Sequence, residues 1–337
     1  MAPRPFHTDP VLTAITVGYR NDSANLIADI VLPRVPVASA KFSWTRYPIA
    51  QAFTFPDTRV GRRGRLNRVE FSGKQETSET FDYGLEDGIP QSDIDEAAVM
   101  RGRGLGTFNP VDFSTMALTD LILLDREVRA ATVIQDPANY AANKRLALSG
   151  SDRFSDPASD IIGALKAGFN STLIYRPNTA TMSRSVWSSI SSHPQLVNAC
   201  KGNVTSKGII TPDEFVQLFA GEGLKRLAIG ESFVNTARPG QSASLSRVWG
   251  NTIALTHINP MATPVTGGVT FGFTAQYGTR VAGQREDPDI GLHGGQIIRV
   301  GESVREVVVA PDVGFLFQNV VAQMEAPTMV PFEPVAA

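Results

Sequence analysis

The chain has 337 residues, 31 basic against 33 acidic, with 42% hydrophobic and 19% charged residues and a formal net charge of −2. It is long and apolar enough to bury a large core in more than one domain, and too evenly charged for a dedicated nucleic-acid binder. Its single cysteine, Cys200, excludes an internal disulfide and any multi-cysteine zinc site.

The other exclusions are local. His7, His193, His257 and His293 show no spacing that pairs metal ligands. No apolar run approaches the ~20 residues needed to span a bilayer, and MAPRPFHTDP does not read as a signal peptide. A protein of a reducing compartment, with no membrane partner and no cofactor, is expected. The Asn-x-Ser/Thr triplets at Asn21, Asn170 and Asn203 are then chance.

Residues 1–33 have no long hydrophobic period; Ala24 to Pro33 suits a short helix or turn ending at the proline. Such a segment cannot bury enough surface to fold alone, so it either lies on something else or frays. If its apolar residues Leu12, Ile15, Leu26 and Ile30 have no local partner, removal of 1–30 leaves a foldable subunit.

Residues 34–80 read as a long β-hairpin. Phe42, Trp44 and Arg46 alternate with Ser43 and Thr45 on the way out, and Val69-Glu-Phe-Ser alternates on the return. The tip, Asp57 to Arg68, carries Arg62, Arg63 and Arg65 among glycines. A hairpin with so charged a tip and no core of its own is marginal alone. Trp44 and Phe53 would also be poorly covered. The arginines suit docking on an acidic partner surface or on phosphates; a solvated loop is the alternative.

The charge then changes sign. Thr80 to Glu96 is acidic, with Glu86, Asp87, Asp93, Asp95 and Glu96 crowding the approach to a helix. Asp93, Asp95 and Glu96 have no histidine or other ligand nearby, so a solvated helix start capped by Ser92 or Asp93 is expected, not a metal site. Gly102-Arg-Gly-Leu-Gly106 lacks the Lys-Ser/Thr pair of a phosphate loop and reads as a joint.

The longest element is predicted from Asn109 to Pro137, with the helix proper over 110–135. Asn109 suits the N-cap, Pro110 the first helical position and Asp112 the first turn. The residue before Pro137 ends it. Val111, Leu118, Leu121, Leu124, Val128 and Ala131 recur at helical spacing, widened by Ile122, Val133 and Ile134. That is roughly 40 Å of rod.

Mixed helix and strand follow. Asp156-Pro157 is expected to cap a helix carrying Ile161, Ile162, Leu165 and Phe169, followed by a strand at 172–175. Val186, Trp187 and Ile190 mark a helix stopping before Pro194, and Thr211-Pro-Asp-Glu214 is a capping box whose helix Gly221 closes. Strands are predicted at 225–229, 252–258, 269–277, 297–300, 304–309 and 314–321, with a polar loop over 239–247. A ragged tail covers 327–337. No serine elbow, phosphate loop or metal-ligand set is present in the sequence, which favours a structural role over catalysis.

Several stretches together resemble one family. Ile27-Ala-Asp-Ile-Val-Leu-Pro-Arg-Val-Pro-Val37 is similar to an arm running into a hairpin, and Tyr83 to Asp93 to the approach to a long spine helix containing Asp125-Arg-Glu-Val-Arg-Ala-Ala131. Ser155 to Ile162, Tyr175-Arg-Pro-Asn178, Val186-Trp187 with His193-Pro194, and Val248-Trp-Gly250 continue the resemblance. Their order resembles the major capsid proteins of tailed bacteriophages, the Hong Kong 97 fold.

The resemblance implies an α+β fold with an N-terminal arm over 1–33, an extended hairpin (the E-loop) over 34–82 and a peripheral (P) domain beginning over 83–177. An axial (A) domain over 178–286 and P-domain return strands with a C-terminal tail over 287–337 complete it. It further implies hexamers and pentamers of the chain itself, a portal at one vertex, a place for a decoration or cement protein, and non-specific contact with packaged DNA. Some relatives carry an N-terminal scaffolding segment; none is evident here, so a separate scaffolding protein is expected. An encapsulin-like compartment shares the fold, and a soluble α/β enzyme without a recognisable motif is the other rival.

Overall fold

The computed structural model describes residues 21–46, 51, 53–66, 68–70, 72–172, 174–202, 207–238, 240–261 and 268–322. A short helix, α1 (Ala28–Val31), and a strand, β1 (Arg34–Val37), lead into an antiparallel hairpin of β2 (Lys41–Arg46) and β3 (Lys74–Glu79). Strand β4 (Phe81–Pro90) runs directly into helix α2 (Gln91–Gly102), and the long helix α3 spans Pro110–Gln135. Then come β5 (Arg145–Ala147), α4 (Ile161–Ser171), β6 (Thr179–Ser183), α5 (Arg184–Ile190), α6 (Pro194–Lys201) and α7 (Pro212–Leu218). Strands β7 (Arg226–Gly230), β8 (Phe233–Asn235), β9 (Leu245–Arg247), β10 (Thr252–Thr256), β11 (Gly272–Asp287), β12 (Gly295–Val308) and β13 (Gly314–Gln318) complete the order.

The chain forms two compact units, one built on 32–129 and 259–309, the other on 22–31, 130–258 and the residues from 310. These units cut across the expected divisions. Strand β11 pairs with β12 in the first unit, although most of it lies inside the range expected for an axial domain. Residues 130–177 fall in the second unit.

The first unit is a four-stranded sheet in the order β1-β11-β12-β4, with β1 parallel to β11 and the other pairs antiparallel. Near its start β11 is buried on both faces, at Phe273 and Ala275 and at Thr274 between them. On the sheet, Ile89, Ile298 and Val300 pack against Leu118 and Ile122 of α3. Helix α3 has the expected limits because its cap works as anticipated: the Val111 N–H donates to Asn109 Oδ1 at 3.2 Å. Its buried line is more polar than the apolar spacing suggested. Ser114, Leu118, Ile122, Arg126, Glu127, Ala130 and Ile134 are buried, while Leu121 is exposed and Leu124 half-buried. Arg126 can sit there because Nη2 donates to the Leu32 carbonyl at 3.2 Å and to Thr274 Oγ1 at 3.3 Å.

The second unit is a five-stranded sheet in the order β5-β13-β10-β6-β7. Helices α4, α5, α6 and α7 close over it through Leu165, Phe169, Trp187, Leu196, Phe215 and Phe219. Every residue of β6 is buried, as a covered central strand requires. Gly230 has no substitute: a Cβ there would overlap the Trp249 indole. In α1, Ala28 and Val31 are buried, as is Ile27 just before it. Ile27 and Ala28 thus belong to the chain's own core, with Leu26 and Ile30 half-buried, so removal of 1–30 takes core side chains with it. Leu12 and Ile15 lie outside the described residues.

Other local differences have identifiable causes. Among the described residues of 172–175, which leave out 173, no strand forms: Thr172 Oγ1 donates to the Phe169 carbonyl at 3.1 Å, and Ile174 adopts φ +64°. Helix α4 is capped by Asp160, not Asp156, its carboxylate accepting from the Gly163 N–H at 2.9 Å. Pro194 does not only stop one helix; it opens α6, with His193 Nδ1 accepting from the Gln195 N–H at 3.2 Å. The capping box at Thr211 and Glu214 forms as expected. Residues 81–90 are a strand because β12 offers a ten-residue ladder, and helix α2 therefore starts at Gln91, with neither Ser92 nor Asp93 as its cap. The hairpin returns at Lys74–Glu79, not at 69–72, of which residue 71 lies outside the described residues.

The Asp160 cap predicts a pH dependence. Hydrogen bonds from Gln195 and from the Gly163 N–H hold its carboxyl below the ordinary value. A depressed carboxylate stabilises the fold above the unfolded pKa, about 4, and that contribution is lost as pH falls through the folded pKa. The melting temperature of the parent protein should therefore fall more steeply below pH 5 than that of Asp160→Asn. Parallel curves would mean the charge of Asp160 is irrelevant to the cap.

Candidate assembly surface

The hairpin stands on its own sheet. Phe42 lies 5.9 Å from Trp44 and 6.4 Å from Phe273, centroid to centroid, and both join a cluster with Val35, Ala275 and Val307. Trp44 is thus partly covered within its own unit, contrary to expectation, whereas Phe53 and Phe55 further out remain exposed.

At the tip the Gly64 N–H donates to the Gly61 carbonyl at 2.8 Å, closing a turn with Arg62 and Arg63 at its corners. Arg62, Arg63 and Arg65 are exposed, as are Arg59 and Arg68, and none makes an ion pair among the described residues. Five like charges in ten residues repel one another, and a counter-charge would relieve them.

The expected acidic partners are not equivalent. Glu86 is paired with Arg299, and Asp87 accepts from Ser114 Oγ at 2.7 Å, so both are engaged within the chain. Asp93, Asp95 and Glu96 lie exposed on α2, a helix with no fully buried residue. Asp95 accepts from Gln91 Nε2 at 2.8 Å and Asp93 from Ser92 Oγ at 3.2 Å. The chain does not bring its own tip arginines onto these acids.

Two buried carboxylates anchor the sheet. Glu302 on β12 accepts from Arg34 Nη1 on β1 at 2.8 Å and pairs with Arg280 of β11 at 3.3 Å. Glu306 pairs with Arg129 Nε of α3 at 3.3 Å, and that guanidinium stacks 3.6 Å above the Tyr83 ring of β4. Sequence reasoning passed over these residues. Their one signal is acidic residues inside the otherwise apolar run from Ile297 to Val309.

Beyond Val37, β1 leaves the sheet, and among the described residues β11 continues from Val281 to Asp287 paired on one side only. Residues 281–286 are exposed. Among the described residues no three His, Cys, Asp or Glu cluster as metal ligands, and no helix is long and apolar enough to cross a membrane.

A sheet crossed by one long helix, with a β-hairpin beside it and a second, helix-covered sheet elsewhere in the chain, is the mixed helix-and-sheet architecture of the Hong Kong 97-like capsid fold. The chain superposes on a phage-related protein from Bordetella bronchiseptica RB50 with a TM-score of 0.66 at 23% identity, over 93% of this chain and 97% of that one. The capsid of cyanophage P-SCSP1u matches with a TM-score of 0.54 at 8% identity, over 85% of each chain. No protein-family model matches the sequence. The major capsid protein of Pseudomonas phage JBD67 is 44% identical over 322 residues, 96% of this chain and 100% of that relative. The chain belongs to the major capsid proteins of bacteriophages, and its role is structural, as a component of the virion capsid.

Proposed function

We propose that the chain assembles with itself as hexamers and pentamers into the icosahedral shell around the double-stranded DNA of a tailed phage. The observation that carries this reading is the full-length 44% match to a phage major capsid protein. A protein compartment shares the fold, and the sequence relative favours the phage shell over it. Under this reading the first unit serves as the P-domain with its spine helix α3 and E-loop hairpin, and the second as the A-domain. Assembly in the host cytoplasm, with a separate scaffolding protein, a portal at one vertex, a decoration or cement protein and non-specific contact with packaged DNA, belongs to the same reading. Negative-stain microscopy of the overexpressed protein, with and without a co-expressed scaffold, tests it. Closed shells are the expected result; monomers in both preparations would overturn it.

The tip arginines are proposed to dock on an adjacent subunit, on Asp93, Asp95 and Glu96 rather than on the already engaged Glu86 and Asp87. One exposed ion pair contributes only ~0.2–1 kcal/mol and weakens with salt. In a shell the same small contribution is repeated at every subunit. Arg62→Glu with Arg63→Glu should leave subunit folding unchanged, lower particle yield at low salt and narrow the gap at high salt, as read by light scattering. Equal yield at both salts would make the tip a solvated loop.

A further inference from the structure

Strand β11 presents an open edge. Its first part is covered by β1 at Thr274–Tyr277, but β1 ends at Val37 and turns off into the hairpin. From Val281 to Asp287 the ladder to β12 continues on one side, and among the described residues no strand lies on the other. Alternate residues of such an edge point unpaired N–H and C=O groups outward, a template for another strand. Arg285, Glu286 and Asp287 put charge on this edge, which limits indiscriminate pairing, but no proline interrupts 281–287 and the register irregularity lies before it, between Tyr277 and Val281.

The hairpin has the complementary defect. It is two strands only, marginal by itself, and the outer edge of β3 meets no strand among the described residues. The two edges also match in charge. The open edge reads Val-Ala-Gly-Gln-Arg-Glu-Asp, and β3 reads Lys-Gln-Glu-Thr-Ser-Glu. Laid antiparallel with Lys74 opposite Asp287, the register also sets Glu76 opposite Arg285, and both pairs fall on one face. Parallel alignment with Lys74 opposite Val281 sets Glu79 against Glu286, like against like. Strand β2, with Lys41 opposite Asp287, gains only that one pair. The present partners are loose: Arg46–Glu76 and Arg285–Asp287 are both at 3.9 Å on partly exposed side chains.

We propose that β3 of one subunit adds to the 281–287 edge of a second copy as an antiparallel strand, with Lys74 on Asp287 and Glu76 on Arg285. The inference rests on the shell-forming reading above. Donor and acceptor are different surfaces of one chain, so the contact is head-to-tail, and it closes into rings where the rotation permits. Main-chain bonds supply the attachment and the two charge pairs set the register.

The test is disulfide trapping in the full chain, in a Cys200→Ser background. Glu76→Cys with Arg285→Cys joins residues directly opposite in the proposed register; Glu79→Cys with Arg285→Cys is offset by three. Lys74→Cys with Asp287→Cys repeats the in-register test should the first pair prevent assembly. After oxidation of assembled particles, a non-reducing gel should show a ladder of covalent multimers from the in-register pairs, at least tenfold stronger than from the offset pair. Equal ladders from both, no ladder, or a cross-link confined to the monomer band would each overturn the strand pairing. Failure of the parent protein to form particles under any condition would instead remove the shell reading and this pairing with it.

Discussion

Replacing Ile122 by Asp should abolish soluble, folded subunit. Ile122 is 2% exposed and packs with Leu118, Ile89, Ile298 and Val300 where α3 crosses the sheet. Aspartate there loses the apolar contacts and buries a charge among the side chains of Ile89, Ile298 and Val300, a cost of several kcal/mol. Folded domains hold only about 5–15 kcal/mol in reserve. Leu121→Asp is the control, one residue away and 53% exposed, and should fold with nearly parental stability. Circular dichroism and soluble yield of the two variants read the difference. Equal behaviour would mean the buried line of α3 has been placed on the wrong side.

A second large loss is expected at Glu302→Ala. The Glu302 side chain is fully buried and holds Arg34 and Arg280, which tie β1 and β11 to β12. Removing one partner of a fully buried pair typically costs about 3–5 kcal/mol; the loss here falls toward the lower end, because the Arg34 and Arg280 side chains are 21% and 33% exposed and Arg34 also donates to Gln276. Arg299→Ala breaks the more exposed pair with Glu86 and should cost no more than ~1 kcal/mol. Urea unfolding of the purified subunits compares them, and similar midpoints would show that Arg34 and Arg280 find water or other acceptors once Glu302 is gone.

Local chemistry made several elements legible in the sequence. The limits of α3, the capping box at Thr211 and the outgoing strand of the hairpin all depend on residues within a few positions of one another. Asn109 before Pro110, or Thr211 before Glu214, satisfies helix-end donors whatever the rest of the chain does. The family resemblance was also legible, because it rests on the order of such local segments. The arginine tip and the acidic approach could be read as charges, and charged side chains stay at the surface unless a partner is brought to them.

Where pairing comes from far along the chain, the sequence was silent. Strand β4 has little of its own to mark it; β12, more than 200 residues on, supplies its ladder. The same ladder converts Glu86 from a free acid into the partner of Arg299, while Asp87 is taken up by Ser114 of α3. Helical spacing by itself placed Leu121 and Leu124 with the core, yet the stripe turned toward Ser114, Arg126 and Glu127. A buried polar side chain is acceptable when its partners arrive from other elements, as Leu32 and Thr274 do for Arg126. Caps, turns and charge runs were thus determined by neighbours in sequence. Which face is buried, which acids are already engaged and which strand edge is left open were decided only in the tertiary structure, because hydrogen-bond partners and desolvation depend on residues brought from tens to hundreds of positions away.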